Sequence, residues 1–438
     1  MPARFLLLLA GLLLSLTALA GPKIEQWTTA NGARVLFVRA PDLPILDLRL
    51  VFDAGSARDG ALPGLASLTN GLLSDGAGPW DADRIAERLE SVGAELEVDS
   101  ARDMAWVAVR TLTEAKPLET TLETLAAVLA RPTFESDDLE RNRKAMLTAV
   151  RLGEQNPGTV AGKAFYRALY GDHPYGSPSG GTRESLQAIT RDDVLRFYRR
   201  YYVARNAVVA IVGDLDRARA EALAQRVTAD LPAGEPAPAL PPVQPLAEGR
   251  EIRRPFPSSQ SHILMGQPGM RRGDPDYFVL YVGNHILGGS GLVSQLSEEV
   301  REKRGLSYSV YSYFSPMRRE GPFVLGAQTK NAKAEEAMGV MRDTLRRFIE
   351  RGPTADELTA AKQNITGGFP LRISSNSKIV EYLAMIGFYR LPLDYLDRFV
   401  GRIEAVTAEQ IRDAFGRRIH PDRFVTVVVG NGQAAAAD

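Results

Sequence analysis

The chain has 438 residues, with 53 Lys and Arg against 53 Asp and Glu, no Cys and four His. Balanced charge supplies no field for nucleic acid or an anionic lipid surface, and a chain without Cys has neither disulfides nor thiolate chemistry. His173, His262, His285 and His420 include no pair at metal-ligand spacing.

The chain begins with a short positive segment, Met1-Pro2-Ala3-Arg4. An apolar run from Phe5 to Leu19 follows, and Ala18-Leu19-Ala20 has the small-x-small form of a cleavage site. Residues 1–20 read as a signal peptide cut after Ala20. The apolar run is short for a spanning helix, so the expectation is an exported chain in the bacterial periplasm, not inserted in a membrane. Alternating residues Asp47, Arg49 and Phe52 mark a strand, and Ile85, Leu89 and Val92 a helix ended by Gly93. A long helix is expected over Asp138–Arg151. Thr190-Arg191-Asp192-Asp193 is a capping box, and the helix it opens is followed by the strand Val208–Val212, which stops at Gly213.

Residues 230–245 then carry prolines at 232, 236, 238, 241, 242 and 245, which deny the segment helix and central-strand bonding and make it a stiff surface linker. Beyond it the pattern repeats. Ile263, Met265 and Gln267 mark a strand and Ala355–Ile365 a helix. Thr407-Ala408-Glu409-Gln410 caps another helix before the strand Phe424–Val429, which stops at Gly430. Gly213 and Gly430 each lie 23 positions after their capping Thr. Pro132 and Leu139 find an echo in Pro353 and Leu358. Composition and repetition together predict an α+β chain of two duplicated domains, residues 21–229 and 246–438. Each should be a mostly antiparallel sheet covered by helices.

One segment carries the most specific information by what it lacks. Gly64-Leu65-Ala66 is followed by Ser67-Leu68-Thr69-Asn70-Gly71, then Leu72-Leu73 and Gly76-Ala77. This frame resembles that of the M16 (pitrilysin and mitochondrial processing peptidase-like) family, in which the central five residues are His-x-x-Glu-His. On a helix the first, fourth and fifth places share one face. There two imidazoles hold zinc and the carboxylate activates water. Here those places hold Ser67, Asn70 and Gly71, none of them a zinc-binding nitrogen or a base near neutral pH. The family's third ligand, a Glu some 80 residues on, falls at Thr148 or Ala149, before Gln155-Asn156-Pro157. The resemblance implies the two-domain LuxS/MPP-like metallohydrolase fold around a peptide chamber, with no metal bound by this chain.

The second half keeps another family segment, Leu287-Gly288-Gly289-Ser290-Gly291-Leu292, then Leu296 through Glu298, Arg301 and Tyr308 to Val310. In the family an Arg ending a helix and a Tyr on the next strand reach the substrate near the zinc of the opposing domain. The resemblance implies that Arg301 and Tyr308 act catalytically in trans. Guanidinium and phenol donors can hold a peptide carbonyl and a developing oxyanion. Gly288, Gly289 and Ser290 are the accompanying substrate-binding candidates, although the glycines equally suit a tight turn. The blander readings are a helix-end charge for Arg301 and sheet packing for Tyr308. Strand alternation puts Tyr308 and Val310 on one face and Tyr311 on the other.

These features point to the non-zinc subunit of a two-subunit peptidase. It would be inactive alone, without a cofactor of its own, and paired with a homologous subunit that carries His-x-x-Glu-His and the zinc. Its substrates would be peptides or unfolded segments. The alternatives are a peptide-binding or chaperone-like homodimer, a structural assembly protein, and a processing factor for one particular peptide.

Overall fold

The computed structural model describes residues 21–431, and the expected signal peptide lies outside them. Thirteen strands occur among the described residues. In the first half they are β1 (Glu25–Thr28), β2 (Arg34–Arg39), β3 (Ile45–Phe52), a small hairpin of β4 (Gly76–Ala77) and β5 (Trp80–Asp81), β6 (Glu95–Ser100), β7 (Ala105–Leu112) and β8 (Ala207–Gly213). In the second half they are β9 (Arg250–Phe256), β10 (Gln260–Pro268), β11 (Ser307–Phe314), β12 (Pro322–Lys330) and β13 (Val425–Asn431).

The first sheet has the order β1-β2-β8-β3-β7-β6 and the second β11-β12-β10-β13-β9. The two orders superimpose. β8 runs parallel to β2 and antiparallel to β3, as β13 does to β9 and β10. β7 and β12 follow, and β6 and β11 end their sheets as matching edge strands. The duplication read from caps and glycines thus extends through five strands, and the α+β fold is as expected.

Local chemistry accounts for the repeated parts. The hydroxyls of Thr190 and Thr407 accept the N–H groups of Asp193 and Gln410 at 3.2 and 3.1 Å, while the latter side chains accept the Thr N–H groups in return. The helices Arg191–Tyr201 and Ala408–Arg418 start there. The strands that follow, Ala-Val-Val-Ala-Ile-Val-Gly and Val-Thr-Val-Val-Val-Gly-Asn, are buried along almost their whole length. β-branched residues suit central strands covered on both faces.

Each half also lends a helix to the other's sheet. Asn376–Tyr389, from the second half, packs on β3 and β8. Its approach is so close that a Cβ on Gly387 would meet Val208 at 2.5 Å and Leu36 at 2.7 Å. Pro157–Tyr170, from the first half, packs on β10 and β13. There Phe165, 1% exposed, faces Gly266, and burying a ring of that size contributes about 2–3 kcal/mol.

Between the halves lies a buried polar junction. The Asp103 carboxylate accepts from the Tyr175 hydroxyl at 2.5 Å, the Tyr389 hydroxyl at 2.9 Å and the Arg318 N–H at 2.7 Å. Asp53 pairs with Arg58 at 2.8 Å and Arg318 at 3.3 Å. The Pro-rich segment has no regular structure but is pinned: the carbonyls of Pro232 and Ala233 accept from Ala204 and Arg205, and that of Leu240 from Arg319.

Candidate functional site: an erased metal turn and a tyrosine-lined sheet edge

The helix Leu65–Gly71 carries the altered motif. It starts at Gly64, whose φ of +94° is a glycine conformation. Asp59 takes the place of a cap: its carboxylate accepts the N–H groups of Gly64 and Ala66 at 2.7 and 2.8 Å. Burial pushes the Asp59 carboxyl up to about 7, against these two bonds and the more distant Arg102.

Asn70, at the place of the family's base, is 1% exposed and fully engaged. Its amide donates to the Asp99 carbonyl at 2.8 Å and the Trp106 carbonyl at 3.3 Å, and its oxygen accepts from the Tyr202 hydroxyl at 2.8 Å. Asp99 and Trp106 face each other across β6 and β7, so Asn70 rivets the helix to the edge of the first sheet. Ser67 and Gly71 are half-buried, and a Cβ on Gly71 would meet Asn142 at 3.6 Å. Thr148 is exposed and donates to the Lys144 carbonyl of its own helix at 2.9 Å, and Ala149 beside it has no donor atom to offer. Hydroxyl, amide and methyl groups in these places do not fit zinc. Among the described residues, no three His, Cys, Asp or Glu side chains are gathered as a metal would require.

The second-half segment is irregular. Two π-helical turns, His285–Gly289 and Ser297–Glu302, flank the single turn Gly291–Val293 and lead into β11. Such wide turns are common at functional sites. Gly288 is buried: a Cβ there would meet Ser312 of β11 at 2.4 Å and Leu296 at 2.7 Å. A Cβ on Gly289 would meet Asn284 at 2.8 Å. At both positions the absence of a Cβ lets the chain pack closely on itself. Ser290 is half-buried, and beyond it Leu292 and Val293 are 59% and 86% exposed.

Arg301 sits in the last turn before β11, about a third exposed, with Glu302 at 3.3 Å. Its neighbours are differently placed: Lys303 and Arg304 are both held at 2.8 Å by Glu299. Tyr308 is 88% exposed. It lies on a bulge, because the register against β12 shifts between Ser307 and Ser309. The Ser307 hydroxyl lies 2.7 Å from the carbonyl oxygens of both Gln328 and Ser309 and accepts the Ser309 N–H at 3.1 Å, which stabilises the extra residue.

The bulge overturns the alternation expected from sequence. Val310 and Ser312 turn inward, while Tyr311 and Tyr313 lie outward with Tyr308. The rings of Tyr311 and Tyr313 stack at 5.9 Å, and the Tyr311 ring lies over Gly326 of β12. Burial of their rings pushes both phenols up, so both remain donors at neutral pH. β11 pairs with β12 and with no second strand; at Ser312 its far side is covered by Asn284, whose amide donates to the Ser312 carbonyl at 3.1 Å. Arg301 and Tyr308 therefore flank the turn that delivers the chain to a tyrosine-lined edge strand whose start, Tyr308 and Ser309, is exposed. Sequence reasoning passed over Tyr313 and the outward setting of Tyr311, although their spacing of two was a signal.

Similar proteins share this organisation. Residues 34–183 match the model for insulinase-type peptidases of family M16, and residues 188–365 that for the M16 inactive domain. An uncharacterized zinc protease of Streptomyces coelicolor is 28% identical, over 90% of this chain and 88% of its own. A protein of Helicobacter pylori described as a non-peptidase homolog is 26% identical, over 89% of this chain and 90% of its own. A crystal structure of an M16 inactive domain from Pseudomonas fluorescens is 39% identical and superimposes with a TM-score of 0.90. It covers 95% of this chain and 99% of that one.

Proposed function

The chain belongs to the M16 peptidase family, and on that premise we propose that it is the non-zinc subunit of a two-subunit peptidase. In this reading a homologous partner carries His-x-x-Glu-His and the zinc, and this chain completes the chamber and holds the peptide. The observation that carries the proposal is the setting of Tyr308. Its side chain is exposed on a bulge at the start of an edge strand, shortly after Arg301, in a chain whose own metal turn is closed by Asn70.

An extended peptide adding to the exposed start of β11, before Ser312, gains main-chain hydrogen bonds with little sequence preference, which suits unfolded segments. Tyr308 and Arg301 then donate to the scissile carbonyl as its oxygen becomes anionic at the partner's metal, and that developing charge is where donors contribute most. The exchanged helices fix the two sheets of this chain to each other, so opening and closing of the chamber falls to the contact between subunits. Export to the periplasm is part of the same proposal and rests on the first 20 residues.

A second reading is a peptide-holding protein without a zinc partner. It takes support from the Helicobacter relative described as a non-peptidase homolog. Mixing separates the two. The purified chain, added to the His-x-x-Glu-His homologue from the same cell, is expected to switch on peptide cleavage that neither shows alone. Cleavage by the homologue alone at an unchanged rate would leave the binding reading.

A further inference from the structure

A cleft of about 240 Å³ opens where the two halves meet, and neither Asn70 nor Tyr308 lines it. Four arginines line it, Arg34 and Arg205 from the first half and Arg318 and Arg390 from the second, against a single acidic residue, Asp53. That carboxylate is already shared between Arg58 and Arg318. Arg205 has Glu235 at 3.2 Å. Among the described residues, Arg34 and Arg390 have no carboxylate partner. Arg390 acts on Arg34 as a like charge instead: the Arg34 pKa is lowered first by burial and then by Arg390.

Arg318 and the backbone of Arg390 are held by their surroundings. Arg318 is held by its backbone N–H on Asp103 and by its guanidinium 4.3 Å from the Phe388 ring centre, and its Nε is buried without a hydrogen-bond partner. Arg390 ends the helix Asn376–Tyr389 in the left-handed region, at φ 55° and ψ 43°. Such a conformation in a residue other than Gly or Asn is strained and needs a return elsewhere. The carbonyl end of that helix brings some negative charge to the cleft, and the Arg318 contact on the Phe388 oxygen offsets part of it. What remains is an excess of positive charge and unused donors around a space large enough for several waters, each taking about 30 Å³.

We propose that this cleft binds a small oxyanion of the phosphate or carboxylate class between Arg34, Arg318 and Arg390, and that the anion clamps the two halves together. Guanidinium forks match such oxygens with paired hydrogen bonds. Because the ligand contacts both halves of the folded chain and none of its unfolded form, binding raises stability in proportion to the logarithm of anion concentration.

The test measures thermal unfolding and calorimetric binding of the full chain with inorganic phosphate and with succinate, at constant ionic strength in chloride. Arg34→Gln and Arg390→Asn remove one charge each, and Asn is at ease in the left-handed region. Exposed Arg84→Gln serves as the control. Phosphate, succinate or both should raise the melting temperature of the wild type and of Arg84→Gln. Either cleft variant should bind roughly ten- to a hundredfold more weakly, the effect of one charged hydrogen-bond donor. Without added anion the cleft variants should melt no lower than the wild type, since like-charge repulsion is relieved; a role for these arginines in folding alone predicts the opposite. A response to phosphate only would identify a phosphate site, and one to both a general oxyanion site. The proposal is overturned if neither probe binds, or if all four proteins respond equally.

Discussion

Replacing Asn70 tests the idea that the former catalytic turn has become a structural rivet. Asn70→Ala removes donors at 2.8 and 3.3 Å and an acceptor at 2.8 Å. Two good bonds and one weak one contribute about 2–3 kcal/mol net, and the Tyr202 hydroxyl left unpaired costs about 1–3 kcal/mol more. The sum is about 3–6 kcal/mol, large beside an ordinary surface substitution. Tyr202→Phe removes only the third bond and leaves one amide oxygen unmatched, about 1–2 kcal/mol. Once Asn70 is gone, the Tyr202 hydroxyl is a liability, so the double variant should lose less than the sum of the singles by about 1–2 kcal/mol. Urea unfolding, with the slope checked for each variant, measures all three. An Asn70→Ala variant within about 0.5 kcal/mol of wild type, or strictly additive losses, would refute the reasoning.

Two further perturbations follow. The folded-state carboxyl of Asp59 lies at about 7, above its value of 3.8 in the unfolded chain. Its contribution is fully present below pH 3.8 and is lost as pH rises to about 7, at up to about 1.4 kcal/mol per pH unit; the stability difference between wild type and Asp59→Asn, measured by denaturation from pH 4 to 8, should slope across that window and then level, and a flat difference contradicts the assignment. At Gly288 an added methyl would lie 2.4 Å from the Ser312 hydroxyl, so Gly288→Ala should cost about 1–3 kcal/mol through overpacking, whereas Gly291→Asn, with φ +65° and open space, should cost less than Gly288→Ala in the same denaturation assay.

The parts of this structure that could be read from sequence were local. Thr190 and Thr407 bond to residues three positions on, so their boxes and the helices they open are visible in a short window. The glycines ending β8 and β13 are equally local. The long helix expected over Asp138–Arg151 occupies Ser136–Glu154, while that expected over Ala355–Ile365 runs on to Arg372, through Gly367, Gly368 and Pro370. Packing overrides weak helix propensity there. The exchanged helices could not be read, because Phe165 finds Gly266 and Gly387 finds Val208 only after folding. The bulge at Tyr308 depends on a bond from Ser307 to Gln328, 21 positions away, and without it the strand reads as a plain alternation. Similarly, Asp103 gathers Tyr175, Tyr389 and Arg318 from distant parts of the chain.

Tyr308→Phe is the most direct probe of the proposed function. It removes one hydroxyl from a side chain that is 88% exposed, so fold, stability and subunit contact should be unchanged. Turnover is to be measured at saturating peptide in the mixture of this chain with its zinc-bearing homologue, alongside wild type and Arg301→Ala, after equal complex formation has been shown. The account expects kcat to fall about a hundredfold, the effect of one oxyanion donor worth about 3 kcal/mol, with KM little changed. Equal kcat values for wild type and Tyr308→Phe would contradict it.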